Sequence, residues 1–196
     1  KAYPDRFFEM GVAEQNMASV ASGMAAMGKV PFITSYAMFS PGRNWEQIRT
    51  AICYNDVPVK VIGCHAGVSV GPDGGTHQAL EDVALMRVIP NMVVIVPCDA
   101  VEAKKATLAI AKNNLPSYMR LFREKSPVIT SEETDSIVGK ANVMYESISG
   151  TKKLGVIANG EMVYRSLLCV KELESKGVEV GVINLHTIKP LDKTGI

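Results

Sequence analysis

The sequence lacks long apolar runs, an excess of either charge and paired cysteines, and each absence excludes a class of protein. No apolar run approaches the roughly 20 residues that span a bilayer. The 21 Lys and Arg residues nearly balance the 20 Asp and Glu residues, which leaves a net charge of +1. We therefore expect no membrane and no nucleic acid among the partners of this chain.

The four cysteines are far apart in the sequence. Cys53, Cys64, Cys98 and Cys169 form no C-x-x-C pair and no cluster with histidine, which disfavours a zinc site. Because each cysteine lies in an apolar segment, we predict buried free thiols, a reducing cytoplasmic location and no metal ligands in this chain.

What the sequence does contain is an alternation of short β-branched runs and longer helical stretches. The predicted strands are residues 30–34, 57–63, 92–96 and 117–121, and the predicted helices are residues 12–27, 44–54, 78–88 and 100–113. Strands that alternate with helices indicate an α/β fold with a mainly parallel sheet. Such sheets bind ligands at the carboxyl ends of their strands.

A polar, charged stretch divides the chain. It predicts a linker over residues 126–150, after a first α/β domain over residues 1–125. Residues 154–158, 162–175 and 178–185 then repeat a strand-helix-strand unit, which is too small to form a core of its own. We therefore predict an incomplete second α/β domain over residues 151–196.

Glu14 is the first candidate for chemistry. Steps of three and four residues along its helix lead to Met17, Ala18, Ala21 and Met24, which places Glu14 on the buried face. Burial favours the protonated form of an unpaired carboxyl group, and a neutral acid can donate a hydrogen bond to a heterocycle. The alternative is a carboxylate in a first helical turn, where the helix dipole favours negative charge.

The glycine-rich loop of residues 65–77 is the second candidate. It follows a predicted strand and contains His65, Asp73 and His77, which suit proton transfer and hydrogen bonding to a phosphorylated, hydroxyl-rich substrate. It matches neither the G-x-G-x-x-G nor the Walker pattern, which disfavours a nucleotide site. The alternative is a glycine-rich turn with incidental histidines.

Aromatic and basic residues near strand ends form a third group. Tyr36 and Phe39 could stack on a planar ring, with Arg43 close by. Arg120 and Arg123 end another strand and could clamp a phosphate. Each of these residues is equally compatible with an ordinary core or solvated surface position.

Together these segments resemble the pyrimidine-binding domain of transketolases. The resemblance rests on Gly-Val-Ala-Glu-Gln-Asn-Met at 11–17, on Gly-Pro-Asp-Gly-Gly-Thr-His-Gln at 71–78 and on Arg-Val-Ile-Pro-Asn-Met at 87–92. Asn-Leu-His-Thr-Ile-Lys-Pro at 184–190 resembles part of the transketolase C-terminal domain. The wording of the loop is most similar to transketolases that are split into N- and C-terminal subunits.

The resemblance implies an enzyme that transfers a two-carbon ketol unit from a ketose phosphate to an aldose phosphate. Its cofactor would be thiamine diphosphate with a divalent cation. The resemblance makes Glu14 the acid that hydrogen-bonds the aminopyrimidine ring, Phe39 the aromatic that stacks on it and Tyr36 a second aromatic of that pocket. A third pocket aromatic of many transketolases falls on Gly42 here.

The resemblance also implies the substrate contacts. His65 and Arg123 match positions that contact the substrate phosphate, and Asp73 matches one that recognises a sugar hydroxyl. His77 matches a histidine near the reacting carbons, so Glu14 and His77 are the expected catalytic residues.

Part of the expected site is missing from this sequence. The Gly-Asp-Gly…Asn motif that holds Mg²⁺ (or Ca²⁺) and the diphosphate is absent, as are the first strands of the pyrimidine domain. The resemblance therefore implies half a site. A diphosphate-binding domain or N-terminal transketolase subunit would complete it, in a homodimer or heterotetramer.

Two other functions stay open at this point. A 1-deoxy-D-xylulose-5-phosphate synthase shares the pyrimidine domain, but it typically has Asp followed by Arg where this chain has His65 and Ala66. The chain could also be a non-catalytic assembly subunit of a thiamine-diphosphate enzyme, although a scaffold has no need of the residues assigned above.

Overall fold

The strands of this chain lie in two sheets, as a computed structural model of residues 2–148 and 152–196 shows. The strands are β1 (Phe32–Tyr36), β2 (Lys60–Cys64), β3 (Val93–Ile95), β4 (Ser117–Arg120), β5 (Asn142–Glu146), β6 (Lys152–Ala158), β7 (Val178–Asn184) and β8 (Thr187–Lys189). The first sheet has the order β1-β2-β4-β3-β8, and the second has the order β5-β7-β6.

Helices alternate with the strands as far as β4, and one more helix lies between β6 and β7. They are α1 (Glu14–Ala26), α2 (Trp45–Gln47), α3 (Asp82–Arg87), α4 (Ala100–Lys112) and α5 (Met162–Ser175), and α2 continues as a π-helical segment over Ile48–Tyr54. In the first sheet, β1, β2, β4 and β3 are parallel, and only β8 runs antiparallel to its neighbour β3. The predicted α/β fold with a mainly parallel sheet is therefore confirmed.

Several predicted boundaries shift by one to three residues, and the largest differences from the sequence prediction concern one helix start and two strands. The helix predicted from residue 78 begins only at Asp82, because residues 78 and 79 are held to the preceding loop. The backbone N–H of Gly67 donates to the carbonyl oxygen of Ala79 at 2.9 Å, and Gln78 Nε2 donates to that of Val68 at 3.2 Å.

Strand β5 lies inside the segment that the sequence predicts as a linker. It pairs antiparallel with β7, so part of that segment belongs to the second sheet. The predicted boundary between residues 150 and 151 lies outside the described residues, and the domain limits stay a prediction. The unpredicted β8 leaves the second sheet and joins the first, beside β3.

A buried polar network joins α4 to the end of β7. Glu102 is fully buried, and its carboxylate accepts hydrogen bonds from Asn184 Nδ2 at 2.9 Å and from the backbone N–H of Cys98 at 2.7 Å. A buried charge needs such partners, because removing it from water is costly. The network therefore fixes the second sheet against the helix that follows β3.

Asp99 caps α4 and ties it to residues 129 and 130. Its carboxylate accepts bonds from the backbone N–H groups of Glu102 at 2.9 Å, Ile129 at 2.8 Å and Thr130 at 2.7 Å. Burial alone would raise the pKa of Asp99, but the bonds from Glu102, Thr130 and Ile129 outweigh burial and hold this pKa below 3.8. Asp99 is therefore the N-cap residue of α4, which begins at Ala100.

Replacing Asp99 with asparagine should lower the free energy of unfolding at pH 7 by about 1–2 kcal/mol, because asparagine keeps only one of the two oxygens that accept these bonds. A carboxylate with a lowered folded pKa stabilises the protein above its unfolded pKa, and this contribution is lost as the pH falls through the folded value. The wild type should therefore lose more stability than the variant below pH 3.8. Urea unfolding at pH 7 and pH 3 measures both effects, and equal losses on acidification would contradict the assignment.

Of the four cysteines predicted as buried free thiols, two are buried, one is half-buried and one is exposed. Cys53 and Cys98 are buried free thiols, and burial raises the pKa of Cys53 to about 12. Cys64 is half-buried, and Cys169 is exposed because its position on α5 faces away from the second sheet's core. In the described ranges, no helix has both the length and the apolar character that a membrane crossing requires.

Candidate functional site

The candidate site forms where the parallel strands of the first sheet end. Tyr36 is the last residue of β1, His65 directly follows β2, and Arg123 lies three residues beyond β4. Because β1, β2 and β4 are parallel neighbours, their carboxyl ends lie at one edge of the sheet. Residues far apart in the sequence therefore meet there.

Glu14 begins α1 and is buried, as its spacing predicts, with 6% of its surface exposed. Its carboxyl group is not unpaired, however. Arg43 Nη1 donates to Oε2 at 2.7 Å, and Ser35 Oγ donates to Oε1 at 3.4 Å. The expectation of an unpaired acid is wrong for this arrangement, since the Arg43 guanidinium pairs with the carboxyl group.

Four rings pack together next to this ion pair. Tyr36 stacks on His65 with ring centres 4.3 Å apart and planes inclined by 6°. Phe39 lies 6.3 Å from Tyr36, and the edge of the His77 ring meets the Phe39 ring at 5.2 Å. The Arg43 guanidinium carbon lies 4.6 Å from the centre of the Phe39 ring, so Arg43 links the rings to the carboxylate.

A tight turn after β1 places Phe39 and Arg43 side by side. The N–H of Arg43 donates to the carbonyl oxygen of Phe39 at 3.0 Å, and Gly42 packs directly on the backbone of Met38. A Cβ atom at Gly42 would lie 1.8 Å from the Met38 carbonyl oxygen. An aromatic residue therefore has no room at position 42.

Gly42→Ala should lower the free energy of unfolding by about 1–3 kcal/mol, because the added methyl forces the turn apart. Gly23→Ala is the matched control: a Cβ there meets no atom within 4 Å, and alanine in a helix should add about 0.5–1 kcal/mol. Chemical denaturation of both variants measures this contrast. A Gly42→Ala variant as stable as the wild type would contradict the geometry of the turn.

The loop after β2 fixes the backbone conformation of one histidine and the ring orientation of another. His65 has φ of +55°, a left-handed conformation that is costly for a residue with a side chain. Its Nδ1 is buried, and no hydrogen-bond partner for it lies within the described part of the chain. Thr76 Oγ1 lies 2.9 Å from Nδ1 of His77 and orients that ring. An unpartnered polar atom in a strained residue is typical of a ligand site.

Asp73 and Arg123 form a second pair at this edge. The Nη1 atom of Arg123 lies 3.9 Å from Asp73 Oδ2 and also donates to the carbonyl oxygen of Val70. Both side chains are about one-third exposed, so their charges remain accessible to an anionic, hydroxyl-bearing ligand.

Arg120 differs from Arg123 because its side chain pairs with a buried carboxylate. Its Nε lies 3.2 Å from Oδ2 of the buried Asp82, which also accepts the Tyr118 hydroxyl at 2.6 Å. Burial and the adjacent Asp82 carboxylate raise the pKa of Tyr118 well above its usual range. Arg120 is therefore already paired with a buried carboxylate, and its contact with a phosphate stays a prediction.

The structure thus brings the candidate residues into two adjoining groups at one edge of the sheet. The first group contains Glu14, Tyr36, Phe39, His65 and His77, and the second contains Asp73 and Arg123. From the sequence, Arg43 could be placed only near Tyr36 and Phe39. No periodicity shows that the turn carrying Arg43 folds back onto α1. Across residues 2–148 and 152–196, no group of three or more His, Cys, Asp and Glu residues is arranged to hold a metal ion.

Comparisons with known proteins agree with one another. Residues 1–128 match the family model for the transketolase pyrimidine-binding domain, and residues 124–196 match that for the transketolase C-terminal domain. A protein of Methanocaldococcus jannaschii, named as a transketolase C-terminal section, is 40% identical over 195 residues, which cover 98% of this chain and 60% of the relative.

One further relative and one solved structure also carry transketolase names. A Clostridium sp. protein (strain MSTE9), named as a 6-deoxy-6-sulfo-D-fructose transketolase subunit, is 38% identical over 193 residues, covering 98% of this chain and 59% of its own length. A solved structure described as a split-gene transketolase, an inactive β4 tetramer, has 39% identity and a TM-score of 0.86, covering 97% of this chain and 60% of that one. The chain spans about 60% of the length of these relatives.

Proposed function

The chain belongs to the transketolase family, and we propose that it supplies the pyrimidine-binding half of a split enzyme that transfers a two-carbon ketol unit from a ketose phosphate to an aldose phosphate. The observation that carries this proposal is the joint placement of a buried glutamate and an aromatic ring. Glu14 and Phe39 are bridged by a single planar group, the guanidinium of Arg43.

That bridge is also a test of whether an aminopyrimidine fits. The guanidinium is flat and carries N–H donors in its plane, and it contacts the Glu14 carboxylate and the Phe39 ring at once. A flat nitrogen heterocycle with a ring nitrogen and an amino group presents similar chemistry. The residues therefore fit the ring of thiamine diphosphate, which supplies, when bound, the carbon nucleophile for ketol transfer.

The roles that we propose for the side chains are those that the family resemblance implies, and their positions support them. We assign Glu14 to bind the ring nitrogen and exchange a proton with it at a carboxyl oxygen, while Phe39 and Tyr36 wall the pocket. We assign His77, whose ring meets that of Phe39 edge-to-face at 5.2 Å, to exchange protons with the substrate near the cofactor ring. Stacking against Phe39 excludes water from this side of the carboxyl group.

The second group of residues suits the far end of a sugar phosphate. Arg123 offers a forked cation for an anion, His65 offers its buried, unpartnered Nδ1, and Asp73 offers acceptors for a hydroxyl group. We propose that a diphosphate-binding subunit contributes the Mg²⁺ and diphosphate contacts, and that the complex is a dimer or heterotetramer. The inactive β4 tetramer of the structural relative supports the need for such a partner.

The proposal is tested by mixing the chain with its diphosphate-binding partner and measuring ketol transfer from xylulose 5-phosphate to ribose 5-phosphate. Transfer should require thiamine diphosphate, and the chain without its partner should transfer nothing. A complex that assembles but uses no ketose donor would contradict the proposal. Activity with pyruvate as donor would instead support a 1-deoxy-D-xylulose-5-phosphate synthase.

The name of the Clostridium relative suggests a second candidate donor, a sulfonated ketose. Its name specifies 6-deoxy-6-sulfo-D-fructose, a ketose that ends in a sulfonate instead of a phosphate. Both groups are tetrahedral anions that a guanidinium binds through paired N–H donors, so Arg123 is compatible with either. The same assay with the sulfonated ketose as donor separates these two candidates.

A further inference from the structure

One arginine occupies both of the contacts that the proposed function assigns to the aminopyrimidine ring. Arg43 donates Nη1–H to Glu14 Oε2 at 2.7 Å, and its guanidinium lies over the Phe39 ring at 4.6 Å. We infer that Arg43 competes with thiamine diphosphate for this pocket and thereby sets the affinity of the site for the cofactor. The inference rests on the proposed function and adds a residue to it.

The competition follows from shape and charge. A guanidinium and an aminopyrimidine are both flat, and both direct N–H groups at a carboxylate while a face rests on an aromatic ring. Glu14 and this face of Phe39 cannot serve two flat groups at once, because both groups would fill the same space. Binding of the ring therefore requires that the Arg43 side chain leave.

Burial determines which partner of the ion pair moves. The Arg43 side chain is 44% exposed, whereas that of Glu14 is 7% exposed. The guanidinium can exchange the carboxylate for water at small cost, whereas the carboxylate is almost fully covered by protein where it lies. The backbone at Arg43 stays in place, because its N–H is bonded to the Phe39 carbonyl oxygen in the turn.

The same ion pair stabilises the chain. Without Arg43, the Glu14 carboxylate would be a buried charge whose remaining side-chain contact is a 3.4 Å bond from Ser35 Oγ. Removing the guanidinium should therefore have two opposite consequences, lower stability before the cofactor binds and tighter binding of the cofactor. A residue with only a structural role would produce the first effect without the second.

The test is a calorimetric titration of thiamine diphosphate with Mg²⁺ into the complex of this chain and its diphosphate-binding partner. We compare the wild type, Arg43→Met and Arg49→Met, since Arg49 is exposed on the π-helical segment after α2. Arg43→Met should bind thiamine diphosphate about three- to tenfold more tightly, and Arg49→Met should bind as the wild type does. Arg43→Lys keeps the charge but loses the flat stacking, so its affinity should lie between those of the wild type and Arg43→Met.

Thermal unfolding of the same complexes without cofactor provides the second readout. Arg43→Met should lower the melting temperature, and adding Glu14→Gln to it should restore part of the loss, because the buried charge is then gone. A wild type that binds thiamine diphosphate and an Arg43→Met variant that binds it no more tightly would overturn the role of Arg43 alone. If neither complex binds thiamine diphosphate, the proposed function falls together with this inference.

Discussion

Glu14→Gln should lower the rate of ketol transfer by about 10²- to 10⁴-fold, the usual contribution of a positioned acid–base group, while the complex with its partner still assembles. Glutamine has nearly the size of glutamate, and its amide oxygen can still accept the hydrogen bond from Arg43. The amide cannot exchange a proton with the cofactor ring, however. Steady-state transfer from xylulose 5-phosphate, measured beside gel filtration of the complex, tests both parts of this expectation.

A matched control separates catalysis from the loss of one negative charge. Glu172 on α5 also pairs with a cation, Lys176 Nζ at 2.7 Å, but both of these side chains are exposed. Glu172→Gln should therefore leave the transfer rate unchanged. If Glu14→Gln retained full activity in an intact complex, Glu14 would have only a structural role, and the assignment of this edge of the sheet to the cofactor ring would be wrong.

The two sheets show how far local pattern determines this fold. Strands with apolar runs were predictable because their residues are buried on both faces, as in β3, where all three residues are buried. Strand β8 has only three residues, and it forms because β3, nearly a hundred residues earlier, offers it an unpaired edge. Such pairing depends on how distant parts of the chain fold together. Strand β5 was not predicted because the polar residues around it indicate a linker.

The site shows the same division. The burial of Glu14 followed from helical spacing alone, since its neighbours three and four residues on share one face of α1. Its partner was not predictable in this way. Arg43 reaches Glu14 because Gly42 lets the turn after β1 close on the Met38 carbonyl group, and that closure depends on backbone geometry. Resemblance to a family supplied the roles of the residues, and the structure supplied the unforeseen cation.

The largest loss of stability is expected from Lys60→Met. Lys60 begins β2 and is fully buried, and its ammonium group has three acceptors for its three N–H donors. It donates to the carbonyl oxygen of Asn113 at 3.0 Å, to Oδ1 of the same residue at 2.7 Å and to the carbonyl oxygen of Leu115 at 2.7 Å. Lys60 thereby supplies hydrogen-bond donors to carbonyl groups just after the C-terminus of α4, where the helix dipole favours a positive charge.

Methionine reproduces the lysine side chain as far as Cε but lacks the ammonium group. The Asn113 carbonyl oxygen then loses its donor, while Asn113 Oδ1 keeps a bond from the Leu115 N–H at 3.2 Å and the Leu115 carbonyl oxygen keeps one from Ser117 Oγ at 3.0 Å. Unsatisfied buried polar groups cost roughly 1–3 kcal/mol each, and partial relaxation of the segment after α4 offsets some of this. We expect Lys60→Met to lower the free energy of unfolding by about 3–4 kcal/mol. Urea denaturation at neutral pH, followed by circular dichroism, measures the change.

Lys105→Met tests whether burial, and not the number of hydrogen bonds, determines this cost. Lys105 Nζ also donates to three backbone carbonyl oxygens, those of Ser131 at 2.7 Å, Glu132 at 2.9 Å and Thr134 at 2.6 Å. Because these carbonyl groups lie near solvent, water can replace the ammonium group, and the loss should stay below about 1 kcal/mol. Equal losses in the two variants would mean that water also reaches the carbonyl groups after α4, and that Lys60 does not serve as a buried cap.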